Sequence, residues 1–160
     1  MSDVWVVNAS PLILFSRIGR LDLIERLTSA ILIPSAVIEE VRAGRAKDSS
    51  AAVALQWASQ YRAHDAPVMP SIERWDLGAG ESQVIAHSAG TARWGVLDDR
   101  AARRCALAHG VAVIGSLGVV LRSKKKRHID RARPLIDDLI AAGMFMDEEF
   151  IRRALENVAE

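Results

Sequence analysis

Four short apolar runs, at 4–7, 30–33, 94–97 and 111–114, each give way within a residue or two to a segment with helical character. Runs of four are too short for core helices, and Val and Ile recur in them, so they read as strands buried on both faces. Strands that alternate with helices return to the sheet in parallel, with the helices laid on its faces. The expectation is an α/β fold with a mainly parallel central sheet covered on both sides.

Local punctuation supports that plan. Ser10-Pro11 opens a helix, because Ser caps well and Pro is tolerated at the first helical position. Gly19 interrupts it, and Leu21, Leu23, Ile24 and Leu27 mark a second helical stretch. A helix is expected over 35–43, stopped by Gly44, and another over 49–61. The stretch 66–69 reads as a short or edge strand, restricted by Pro67 and Pro70. A loop at 76–80 leads into a helix at 81–89. Helices follow at 100–109, from Gly115-Ser116-Leu117-Gly118 into a basic block, and near 132–142 and 148–158.

No repeat, low-complexity tract or linker interrupts the chain, so a single domain over 1–160 is expected. Its 160 residues are 50% hydrophobic, which suffices for a core without staples. The single Cys105 cannot form an internal disulfide, which points to a reduced, cytoplasmic setting. Met1-Ser2-Asp3 lacks the basic start of a signal peptide. No apolar run approaches the roughly 18 residues of a membrane span.

The chemistry gathers at strand ends. Asn8 closes the first run, and Asp98-Asp99 closes the third. In a parallel sheet the C-terminal strand ends and the next helix N-termini share one edge, where ligands bind. Asn8, Glu40, Glu81, Asp98 and Asp99 form a set of oxygen donors there, suited to a hard cation such as Mg²⁺ or Mn²⁺. At about 100° per residue, Val84, Ile85, Ser88 and Ala89 centre near 10° from Glu81, so Glu81 shares their apolar face. A carboxylate aimed inward needs a cation or backbone N–H groups as partners. On helix 35–43, Glu39 lies about 150° from the apolar centre and Glu40 about 105°, which selects Glu40. Adjacent Asp98 and Asp99 repel unless something positive lies near. Asp99 also suits a helix N-cap, and Arg100, Arg103 and Arg104 offer neutralisation without metal.

Other signals are weaker. The four histidines lack metal-ligand spacing, and Cys105 reads as core. Gly78-Ala79-Gly80 and Gly115-Ser116-Leu117-Gly118 are weak phosphate-loop candidates, which keeps a nucleotide-binding domain open. The block Arg122, Lys124, Lys125, Lys126 and Arg127 is a candidate nucleic-acid contact, or else a solvated last helical turn.

Five stretches then carry a resemblance in order: Val7-Asn8-Ala9-Ser10-Pro11-Leu12-Ile13, Ile33-Pro34-Ser35-Ala36-Val37-Ile38-Glu39-Glu40-Val41, Leu77-Gly78-Ala79-Gly80-Glu81, Leu97-Asp98-Asp99-Arg100-Ala101-Ala102-Arg103 and Ile114-Gly115-Ser116-Leu117-Gly118. With them the chain resembles a PIN-domain nuclease, in particular the small prokaryotic toxins of type II toxin–antitoxin pairs. The resemblance implies a three-layer α/β/α sandwich whose acidic pocket holds Mg²⁺ or Mn²⁺ and cuts RNA. It sets Asn8 on the family's first acid, Glu40 on the second, Glu81 on the third, and Asp99 or Asp98 on the last. Ser10 and Ser116 match hydroxyl residues beside the pocket. A cognate antitoxin and a homodimer are implied partners. Asn8 departs from the pattern, since an amide oxygen brings no charge. The alternative is a catalytically weakened module acting by RNA or antitoxin binding.

Overall fold

The computed structural model describes residues 3–44 and 49–160. In chain order its elements are β1 (Val4–Val7), α1 (Ala9–Arg17), α2 (Asp22–Leu27), β2 (Ala30–Pro34), α3 (Ser35–Gly44), α4 (Ser50–Ser59), β3 (Arg62–Ala63), α5 (Pro70–Glu73), α6 (Ala79–Ser88), β4 (Trp94–Val96), α7 (Arg100–Ala108), β5 (Ala112–Ile114), α8 (Ser116–Lys125), α9 (Arg133–Ala141) and α10 (Glu148–Glu156).

The strands form one sheet in the order β3-β2-β1-β4-β5, and every neighbouring pair is parallel. From β1 the chain first winds outward through β2 and β3, then restarts on the other side of β1 at β4. Such a reversal leaves a crevice at the carboxyl ends of the two central strands. Val7 pairs with Val96, so Asn8 and the Leu97-Asp98-Asp99 segment leave the sheet side by side. The Asn8 N–H donates to the Val96 carbonyl (3.1 Å), which fixes that juxtaposition.

Burial explains the stability of this arrangement. Trp5, Val6 and Val7 are fully buried, so β1 has no solvent face. Helix α6 lies across β1, β2 and β4 and also packs on α3, while α7 lies beside β5, and α8 packs against α1, α2 and α9. Val84 and Ile85 of α6, Val37 and Ile38 of α3, and Leu12 and Phe15 of α1 complete the core. The result is an α/β/α sandwich.

Several boundaries differ from those expected. The 66–69 stretch is not a strand; the edge strand is Arg62–Ala63, pairing with Ile33 and Pro34. Residue 66 instead is fastened to α6 by one side chain: Gln83 Nε2 donates to the Ala66 carbonyl and Gln83 Oε1 accepts from the Ala66 N–H, at 2.8 and 2.7 Å. A side-chain amide thus replaces the strand ladder that Pro67 would have interrupted. Helix α4 ends at Ser59, before Tyr61, and the short α5, opened by Pro70, had no periodicity to announce it. Helix α6 begins at Ala79, which brings Gly80 and Glu81 into its first turn.

Helix α8 stops without glycine. Arg127 takes φ +61°, His128 N donates to the Ser123 carbonyl and Arg127 N to the Lys124 carbonyl. That pairing is the Schellman stop, with arginine in the left-handed position that usually falls to Gly.

Candidate functional site

The crevice at the ends of β1 and β4 gathers oxygen atoms from four parts of the chain. Asn8 is buried, and its side-chain oxygen meets no donor. A buried carbonyl oxygen without a partner is costly, and it signals a group that belongs there when the site is filled.

Glu40 reaches the site from α3. The Gly80 N–H donates to its Oε1 at 2.8 Å, using one of the four N–H groups that any helix start leaves unpaired. The approach depends on glycine. A Cβ on Gly80 would stand 2.7 Å from Glu40 Oε2 and 2.9 Å from its Oε1. Gly80 had read as part of a phosphate loop, and its actual role is to admit a carboxylate. The neighbouring Glu39 turns away, pairing with Arg42 at 2.6 Å and Arg62 at 3.6 Å.

Glu81 projects from the first turn of α6 and is half-buried. Burial pushes its carboxyl above the usual range, its own backbone N–H pulls the other way, and the Glu40 and Asp99 carboxylates push it up again. Those two repulsions bring Glu40, Glu81 and Asp99 into one electrostatic group. Burial and like charge disfavour the same ionised form, an arrangement that concentrates at functional sites.

The two adjacent aspartates divide their work. Asp99 caps α7, its Oδ2 accepting from the Ala102 N–H at 2.9 Å. Asp98 turns the other way, accepting from Ser116 N (2.7 Å) and Ser116 Oγ (2.6 Å), with Ser10 Oγ at 3.5 Å. Asp98 therefore ties the loop after β4 to the start of α8. Gly115 keeps room for it, because a Cβ there would lie 3.0 Å from Asp98 Oδ1. Arg103 Nη1 donates to the Leu97 carbonyl at 3.0 Å. Among the described residues no ion pair ties Asp98 or Asp99 to an arginine, so the neutralisation considered from sequence is not made.

The basic block is elsewhere. Helix α8 starts at the crevice and runs back for ten residues, roughly 15 Å at 1.5 Å per residue. Its end lies at the opposite edge of the sheet, where Arg122 meets Asp3 (3.7 Å) and stacks over Trp94 (5.0 Å to the ring centre). Lys124 is bound to Glu160 at 2.8 Å. Lys125, Lys126 and Arg127 are exposed there. Asn8, Ser10, Glu40, Glu81, Asp98, Asp99 and Ser116 share the crevice edge; Arg122, Lys124, Lys125, Lys126 and Arg127 do not.

Among the described residues no three His, Cys, Asp or Glu side chains close into a ready-made metal cage. The donor set still suits Mg²⁺ or Mn²⁺. Mg²⁺ retains several waters and takes only one or two carboxylates directly, so an open ring of acids with a spare amide oxygen matches its habits. No helix among the described residues is long and apolar enough to cross a membrane. None of the curated proteins matches the chain. The family model DUF3368, a PIN domain, matches residues 4–160.

Proposed function

The chain belongs to the PIN-domain family, and from that premise we propose that it is a metal-dependent endoribonuclease working at the crevice between β1 and β4. PIN domains are typically nucleases and generally use divalent metal ions. The observation that carries the reading is the raised carboxyl of Glu81, lifted by burial and by Glu40 and Asp99. Acids held together against their own repulsion, beside an amide oxygen with no donor, are what a cation site leaves behind.

Glu40, Glu81 and Asp99, with the Asn8 oxygen, are the groups that would hold the ion. A divalent ion bound there supplies a water of lowered pKa and charge neutralisation at a phosphate. The side chains supply the rest. Gly80 N–H fixes Glu40 Oε1, and the Ala102 N–H fixes Asp99 Oδ2, so each carboxylate is oriented by backbone. Glu81 Oε atoms orient the attacking water and accept its proton, as its heightened proton affinity suits it to do. Asp98, through Ser116 and Ser10, positions the loop that carries Asp99. In-line attack then expels the 3′ oxygen of the scissile bond without a covalent protein intermediate.

The test is cleavage of single-stranded RNA in Mn²⁺ or Mg²⁺, its loss in EDTA, and its return with excess metal. Cleavage that persists in EDTA, with Glu81→Gln equally active, contradicts the proposal. A toxin role, with an antitoxin protein as inhibitor, adds that expression arrests growth and that Glu81→Gln relieves the arrest.

One observation favours a second reading. Asn8 brings no charge to the position where the family has its first acid, which supports a weakened module that binds RNA or an antitoxin without cutting. Asn8→Asp separates the two. Stronger divalent binding together with faster cleavage supports the enzyme, whereas unchanged inactivity beside tight binding supports the module.

A further inference from the structure

Beside the acid crevice lies a groove that the chemistry above does not use. It encloses about 320 Å³ between α1 and the turn after α9, and Ser10, Ile13, Leu14, Arg17, Met144 and Phe145 line it. Ser10 also stands 3.5 Å from Asp98, so the groove and the crevice share a wall. Phe145 is 99% exposed on the loop between α9 and α10, whereas Met144 beside it is buried at 8%. Arg17 Nη1 donates to the Ala142 carbonyl at 2.8 Å, which holds the guanidinium on the groove wall.

We propose that this groove is a subsite for one unpaired nucleotide of the RNA strand, its base stacked on Phe145 and its phosphate facing Arg17. The inference rests on the nuclease reading and names the substrate it takes: a single strand, since a base locked in a duplex offers no free face to the ring. An aromatic face beside a cation is the recurring arrangement for single-stranded nucleic acid. A phosphate satisfies the charge of Arg17, while an apolar peptide helix would leave that charge against its own surface. Ile140 and Phe150 are also exposed on the flanking helices, so a second copy of this chain is the competing occupant.

The experiment uses the full chain and RNA oligonucleotides carrying 2-aminopurine at successive positions around the cleavage site. Fluorescence should be quenched at one position near the scissile bond. Phe145→Ala should abolish that quench and raise KM roughly ten- to hundredfold, the loss of one stacked base, with kcat kept. Phe145→Trp should restore both, and the melting temperature should not move, because the ring touches nothing. Arg17→Gln should lower the salt dependence of binding by about one phosphate contact.

Failures separate cleanly. Normal cleavage with KM and quench untouched by Phe145→Ala overturns the subsite alone. Quenching without cleavage supports the subsite and sinks the nuclease reading. Neither quench nor cleavage removes both. A dimer that Phe145→Ala turns into monomer in sedimentation assigns the groove to a second copy and overturns the inference.

Discussion

Two glutamates at opposite edges of the sheet meet opposite fates. Glu81, at the carboxyl edge, is surrounded by burial and by the Glu40 and Asp99 carboxylates, and its proton is held tightly. Glu160, at the other edge, is just as much a carboxylate near protein, yet every oxygen is answered. Burial would raise it, but Lys124 Nζ (2.8 Å), the Ala132 N–H (2.6 Å) and the Arg133 N–H (3.2 Å) draw it down to about 2. The second site is complete and contributes to stability. The first is incomplete and costs stability, which is the usual condition of a site kept for something else.

The sharpest way to break this contrast is Glu81→Gln. Cleavage should fall by roughly a hundred- to thousandfold, the scale of a lost electrostatic contact to the reacting centre, while the melting temperature rises at neutral pH. A fall in both would make Glu81 merely structural. The two edges should also respond oppositely to pH, measured as melting temperature in chelator. Glu81 binds its proton more tightly folded than unfolded, so its contribution to stability declines as pH climbs past 4.5. Glu160 does the reverse: its contribution is full above 4.5 and disappears as pH falls toward about 2.

Next in size is Gly80→Ala. The added methyl displaces Glu40 while favouring the helix, so cleavage should drop roughly ten- to hundredfold with stability within about 1 kcal/mol of the original. Enzyme assay and chemical denaturation together check it. Glu160→Gln should leave cleavage unchanged and lower stability by about 1–2 kcal/mol at pH 7, the shift discounted for solvent near an exposed residue. The smallest effect belongs to Arg127→Gly, which relieves the left-handed φ at the end of α8. A gain of no more than about 1 kcal/mol is expected, with cleavage untouched.

The same contrast explains what could be read in advance. The parallel sheet was legible because β1 is apolar on both faces and because Ser10-Pro11, Gly44 and Gly110 punctuate the helices. The helical angle of Glu81 anticipated its burial, since periodicity carries direction as well as type. The basic block was misleading as a cluster. Sequence adjacency hid that α8 carries it a helix-length away from the acids and that Arg122 and Lys124 face Asp3 and Glu160. The role of Gly80 was equally hidden, because it depends on a side chain forty residues earlier folding over it. Gln83 holding Ala66 in place of a strand is a contact of the same long-range kind.

The central claim is that Glu40, Glu81, Asp99 and Asn8 surround one place for a divalent ion. Calorimetric titration of Mn²⁺ into the chain and into Glu81→Gln at pH 7 addresses it most directly. The account predicts saturable binding to the first and a loss of tenfold or more in affinity in the second. No binding to either, or equal binding to both, would contradict it.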